Sequence, residues 1–274
     1  MSAKLVAISA FRMTTAKPEQ LSRFYRALGF TVGDRKAIPS DEIALLGLRC
    51  GGTRFPLRLG EQRVDLDSFD EPGRPYPADA TSADLCFQHL ALVTDDVAAA
   101  WVRAARIGAV PISMRPVTLP ASAGGVIAMK FRDPEGHPLE LLQFPAGSKP
   151  GWRGMGVIGI DHSAISVSNG SRSRRFYEAH GLFEQDPTFN HGPTQAVLDG
   201  LSGVEVDVIP MMPPEQPPHL ELLAYRKPAG ASSGRLEAND VAATRIVWRT
   251  DRDELVRDPD GHLQLLRRDA CRAP

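Results

Sequence analysis

Phe131-Arg-Asp-Pro-Glu-Gly-His-Pro-Leu-Glu-Leu-Leu-Gln-Phe144 is the stretch on which the fold turns. Asp133-Pro134-Glu135-Gly136 predicts a tight turn, because Pro suits its second position and Gly the position where φ is positive. Leu139 to Phe144 then reads as a strand. Side chains alternate across a strand, so Glu140 shares a face with Leu142 and Phe144. A carboxylate on an otherwise apolar face needs a partner or a metal ion. The cassette returns as Arg257-Asp-Pro-Asp-Gly-His-Leu-Gln-Leu-Leu266, and such a return points to an internally repeated architecture. His137 and His262 follow the two turns and read as solvated turn residues.

Outward from the hairpin, one order of elements recurs. Leu5 to Met13 reads as a strand. Pro18 to Leu28 reads as a helix with Leu21, Phe24, Tyr25 and Leu28 on one face. Glu42 to Leu48, Phe55 to Leu59 and Arg63 to Phe69 read as three strands. The second copy runs from the Phe87–Thr94 strand through an Asp96–Ile107 helix to the hairpin. The third has strands at Ile158 to Val167, Gln195 to Leu198, Val204 to Ile209 and His219 to Tyr225, with a helix from Ser171 to His180. Arg23-Phe-Tyr-Arg-Ala-Leu-Gly29 in the first copy matches Arg175-Phe-Tyr-Glu-Ala-His-Gly181 in the third. In the fourth, Ala243 to Arg249 leaves no room for a helix before the closing hairpin. Linkers rich in Gly and Pro lie at Asp70–Asp84, Pro145–Gly156 and Lys227–Asn239. The expected modules are therefore 1–70, 84–147, 156–227 and 240–270, in halves 1–147 and 156–274. The expected class is α+β: four βαβββ modules, the last truncated, in two curled mixed sheets.

Composition narrows the function. The chain has 274 residues and a formal net charge of −1, which argues against a nucleic-acid surface. No apolar run approaches the roughly 20 residues that span a bilayer. The first residues are too mixed for a signal peptide. Cys50, Cys86 and Cys271 lack metal-type spacing and read as reduced thiols of a cytoplasmic protein.

Four βαβββ copies, the Phe-Tyr helix and the Asp-Pro-[Asp/Glu]-Gly-His hairpin resemble the vicinal oxygen chelate superfamily of glyoxalases, bleomycin-resistance proteins and extradiol dioxygenases. In that family, paired copies form a cup whose metal ligands come from the first and last strands. Carried over residue by residue, the resemblance implies His89 and Glu140 from the second copy and His162 and Glu221 from the third. The first and fourth copies offer Ala10, Asp65, Thr244 and Gln264, which make no convincing metal site. All four good ligands share one cup only if the second copy pairs with the third and the first with the fourth. The ligand order implies a divalent cation such as Zn²⁺, Ni²⁺, Co²⁺, Fe²⁺ or Mn²⁺. It further implies a small oxygenated substrate held through neighbouring oxygens, with Glu140 or Glu221 as general base, in an isomerase, epimerase or lyase. An extradiol-type dioxygenase and a metal-free protein that binds or sequesters a small molecule are the alternatives. Neither His89 nor His162 is followed closely by the Arg typical of glyoxalase I. Four copies in one chain suit a monomer, and exposed sheet edges would permit a homodimer.

Overall fold

Short runs of β-branched and apolar residues, broken by Gly and Pro turns, dictate a chain dominated by strands. The computed structural model describes residues 3–148 and 151–268. Cys271 and the end of the fourth module lie outside the described residues, whereas Cys50 and Cys86 are buried free thiols. The repeats open with the strands Ala7–Thr14, Gln88–Thr94, Val157–Ser166 and Arg245–Thr250. They close with Gln62–Phe69, Pro138–Gln143, His219–Lys227 and Leu263–Arg268. Helices Pro18–Ala27, Val97–Arg106 and Gly170–Ala179 follow the first three opening strands, and among the described residues none follows the fourth. Asp96 and Asn169 cap two of these helices, accepting from Ala99 and Arg172 backbone N–H at 2.9 Å.

Each opening strand runs parallel to the closing strand of its own repeat. Opening strands then pair antiparallel between repeats. Gln88–Thr94 lies beside Val157–Ser166, and Ala7–Thr14 beside Arg245–Thr250. Two mixed sheets result, one from repeats two and three and one from repeats one and four. Their helix-covered faces share a core that includes Phe11, Phe24, Tyr25, Phe131, Tyr177 and Trp248.

Two segments read as strands are helices. Glu42 to Leu48 falls largely within helix Ser40–Leu45, and Gln195 to Leu198 lies inside helix Gly192–Asp199. Pro39 precedes the first, whose opening turn carries Asp41 and Glu42, and Pro193 stands in the first turn of the second. Proline and acidic side chains both favour a helix start, and these outweigh the local β-propensity.

The two cassettes are not solvated turns either. His137 and His262 are only 1% and 4% exposed. Asp133 accepts from the backbone N–H groups of Glu135, Gly136 and His137, and Gly136 holds the positive φ (107°) that the turn requires. Its other oxygen lies 2.9 Å from His137 Nδ1 and accepts from Tyr25 Oη at 3.2 Å. His137 Nε2 reaches the Thr14 carbonyl at 2.9 Å. In the later cassette, Asp258 accepts from Tyr177 Oη at 3.1 Å, and His262 Nε2 meets the Ser166 carbonyl at 2.9 Å. Each hairpin therefore clips its repeat to the preceding one, second to first and fourth to third. Pairing of the opening strands makes the other two joins. Burying each ring against a carbonyl satisfies polar groups that the turn would otherwise leave to water.

Candidate metal centre

Strand register brings the predicted ligands together. Glu140 lies beside Ala91, and Ala91 beside His162, on three adjacent strands. The matching row is Glu221 beside Ala164 and Ala164 beside His89. In each row a methyl group stands between carboxylate and imidazole, so the four functional side chains rise around open space. His89 Nε2 lies 2.9 Å from Glu140 Oε2, and His162 Nε2 lies 3.4 Å from Glu221 Oε2 and 3.9 Å from Glu140 Oε2. His89, Glu140 and His162 each offer a ligand atom within 4.8 Å of the others, and Glu221 adjoins this group through His162.

The donors are buried. His89 and His162 are 2% and 5% exposed, yet His89 Nδ1 lacks a hydrogen-bond partner, and the Nε2 atoms of both meet only the cup's carboxylates. Burial holds His89 below the ordinary imidazole pKa, so it is a neutral, ligand-competent base. Burial also opposes charge on His162, but Glu221, Asp161 and Glu140 outweigh it and lift its pKa to about 9. Asp161 Oδ2 lies 3.0 Å from His162 Nδ1 and so turns Nε2 toward the cup. Burial works against the Glu140 carboxylate, yet Lys130 and His89 bring its pKa down to about 2. Glu221 is likewise held below the usual carboxylate range against burial, by His162 and His219. A neutral imidazole at His89, a second at His162 that would yield its proton to a cation, and two ionised carboxylates facing one another are a donor set that fits a divalent cation.

The cup opens into a cavity of about 490 Å³ lined by residues of both repeats. Leu142, Phe144, Leu198 and Leu223 form part of its apolar wall. Two polar residues of the cup, Lys130 and Gln195, and the Asp199 that joins them have no counterpart in the ligand pattern. Lys130, 3% exposed, lies opposite Glu140 across the hairpin and donates to Asp199 at 2.6 Å. Asp199 also accepts from Gln195 Nε2 at 2.8 Å. Register counted from the Asp-Pro-Glu-Gly turn sets Lys130 against Glu140, an opposite-charge pair legible in the sequence. Asp199 arrives from a helix of the third repeat, which local pattern does not reveal. Asn190 lines the cavity, whereas His191 is exposed and stacks on Phe189.

The other sheet is built differently at the corresponding positions. Asp65 lies beside Arg12, and Arg12 beside Arg245. Asp65 is ion-paired with Arg63 at 2.9 Å and with Arg12 at 3.4 Å. Register puts Arg245 where the first sheet has His162 and Leu265 where it has Glu221, so Thr244 and Gln264 each lie one residue off the expected row, and Gln264 accepts from Trp248 Nε1 at 2.7 Å. Ala10 and Thr244 are buried. Among the described residues no metal-type cluster forms there.

Residues 7–141 match the model of the Glyoxalase/Bleomycin resistance protein/Dioxygenase superfamily. Among solved structures, glyoxalase I from Zea mays is 16% identical with a TM-score of 0.61, covering 95% of this chain and 91% of that one. A mutant of the same Zea mays enzyme gives 17% identity and a TM-score of 0.62, over 96% and 93% of the two chains. A Bacillus subtilis protein assigned as a dioxygenase gives 12% identity and a TM-score of 0.58, over 98% and 87%. No curated protein matches by sequence. No helix of the described residues is long and apolar enough to cross a membrane. Residues 7–141 thus belong to the Glyoxalase/Bleomycin resistance protein/Dioxygenase superfamily, and the fold of nearly the whole chain is that of glyoxalase I.

Proposed function

We propose that the protein is a metal-dependent enzyme of small oxygenated molecules, an isomerase, epimerase or lyase. Its cup lies between residues 84–147 and 156–227. The observation that carries this reading is the pair of buried imidazoles, His89 and His162, whose Nε2 atoms converge on Glu140 and Glu221. These four residues would hold the ion. When bound, a divalent cation supplies a Lewis acid that polarises neighbouring substrate oxygens and stabilises negative charge on them.

The chain's own residues divide the remaining work. Lys130 and His89 hold Glu140 in its ionised form, which makes it a steady ligand. Glu221 is the more accessible carboxylate, its side chain 18% exposed against 7% for Glu140. It is the residue that takes a proton from substrate carbon and returns it. The apolar wall excludes water and binds the substrate's hydrocarbon part.

Elemental analysis of protein purified without chelator tests the reading. Near-stoichiometric Zn²⁺, Ni²⁺, Co²⁺, Fe²⁺ or Mn²⁺ in the wild type, lost in Glu140→Ala and His162→Ala, is the expected result. A wild type that takes up none of these ions would redirect the reading to metal-free binding of a small molecule.

A further inference from the structure

Exchanging the second and third repeats leaves the four donors looking alike, His89 with Glu140 and His162 with Glu221. His219 breaks that likeness. It stands two residues before Glu221, where the second repeat has Pro138 two residues before Glu140. Two residues along a strand share a face, so His219 enters the cup beside Glu221. Register sets it directly next to His162.

His219 is 8% exposed, and its Nε2 lies 3.4 Å from Glu221 Oε1. Its ring centroid is 5.3 Å from that of His162. Ligand atoms of Asp161, His162 and His219 lie within 4.8 Å of one another. Asp161 is already engaged by His162 Nδ1, which leaves His219 as the further donor. Two donors on one ion, each about 2.1 Å from it, are about 3.0 Å apart at right angles and about 4.2 Å apart when opposite. The spacing of His219 Nε2 from Glu221 falls in that interval, as do the spacings of His162 Nε2 from Glu221 and Glu140.

We propose that His219 is a further protein donor to the cation held by His89, Glu140 and His162, and that it replaces Glu221 when that carboxylate leaves the ion. This rests on the metal-dependent reading above. Three imidazoles and one carboxylate then retain the ion while Glu221 is free to handle a proton. Such a set favours nitrogen-preferring cations, Zn²⁺, Ni²⁺ and Co²⁺, over Mg²⁺ and Mn²⁺.

The test is Zn²⁺ affinity, measured by competition with a chromophoric chelator. The proteins compared are wild type, Glu221→Ala, His219→Ala and the double variant. Glu221→Ala is expected to stay within about tenfold of wild type, and adding His219→Ala to weaken binding by a further tenfold or more. X-ray absorption of Zn²⁺-loaded Glu221→Ala should fit three imidazoles. Equal affinities for Glu221→Ala and the double variant, with only two imidazoles in the fit, would overturn the proposal while the metal site stands. A wild type that binds no Zn²⁺, Ni²⁺ or Co²⁺ overturns it together with the functional reading. His219→Gln, checked by near-ultraviolet circular dichroism, separates loss of a donor from loss of fold.

Discussion

The two sheets share a topology but fill the same row differently. Across repeats two and three the row reads Glu140, Ala91, His162; across repeats one and four it reads Asp65, Arg12, Arg245. Both rows begin with a buried carboxylate, which must be compensated. In the first sheet the methyl of Ala91 leaves room, so imidazoles converge on open space. In the second, Arg12 spans that space and pairs with Glu42, a residue of the short helix Ser40–Leu45. Arg54 binds Glu42 at 2.5 Å and Asp67 at 2.7 Å, and Arg245 binds Asp67 at 3.0 Å. Arginines where the first sheet has Ala91 and His162 thus go with a closed ion-pair network in place of a candidate metal cup on the same topology.

The largest effect is expected from carrying the arginine across. Ala91→Arg should abolish metal uptake, because a guanidinium would occupy the cup and neutralise Glu140. Elemental analysis beside a circular-dichroism melt checks this, and full metal occupancy in the variant would break the comparison. Next is Arg54→Met, which leaves Glu42 and Asp67 short of a buried partner. It should cost about 3–5 kcal/mol in urea unfolding while leaving metal content unchanged, since its network lies in the other sheet. A smaller effect follows Asp161→Asn. Losing the carboxylate that orients His162 should weaken Zn²⁺ binding by roughly 10- to 100-fold without altering the fold.

The smallest expected effect concerns the hairpin clips. Burial opposes charge on His137, but Asp133 prevails and raises its pKa. A group whose folded pKa is raised contributes stability that is complete below its unfolded value, about 6.5, and is lost as pH rises through the folded value. His137→Gln should therefore cost on the order of 1 kcal/mol more at pH 5.5 than at pH 9.5, read from unfolding midpoints at the two pH values. An equal cost at both would show that the imidazolium adds nothing to the clip.

Much of this architecture was legible because period-2 alternation and turn chemistry are local. The Asp-Pro-Glu-Gly turn placed Glu140 on an inward face, and the matched Phe-Tyr helices exposed the repeats. The resemblance those repeats carried pointed to His89, Glu140, His162 and Glu221, which register brings around one cavity. Even Lys130 could have been counted from the hairpin, two residues before Arg132 as Glu140 is two after Pro138.

Other features depend on elements far apart in the chain. Asp199 reaches Lys130 from a helix of another repeat. Glu42 belongs to a helix that read as a strand, and it completes a network with arginines of two other strands. His137 and His262 looked like turn residues, but each turn docks on the preceding repeat and buries the ring against its carbonyl. Local sequence sets the direction in which a side chain leaves the backbone. Which surface it then meets depends on how repeats close on one another, and only that meeting decides whether a buried charge becomes a ligand, an ion pair or a clip.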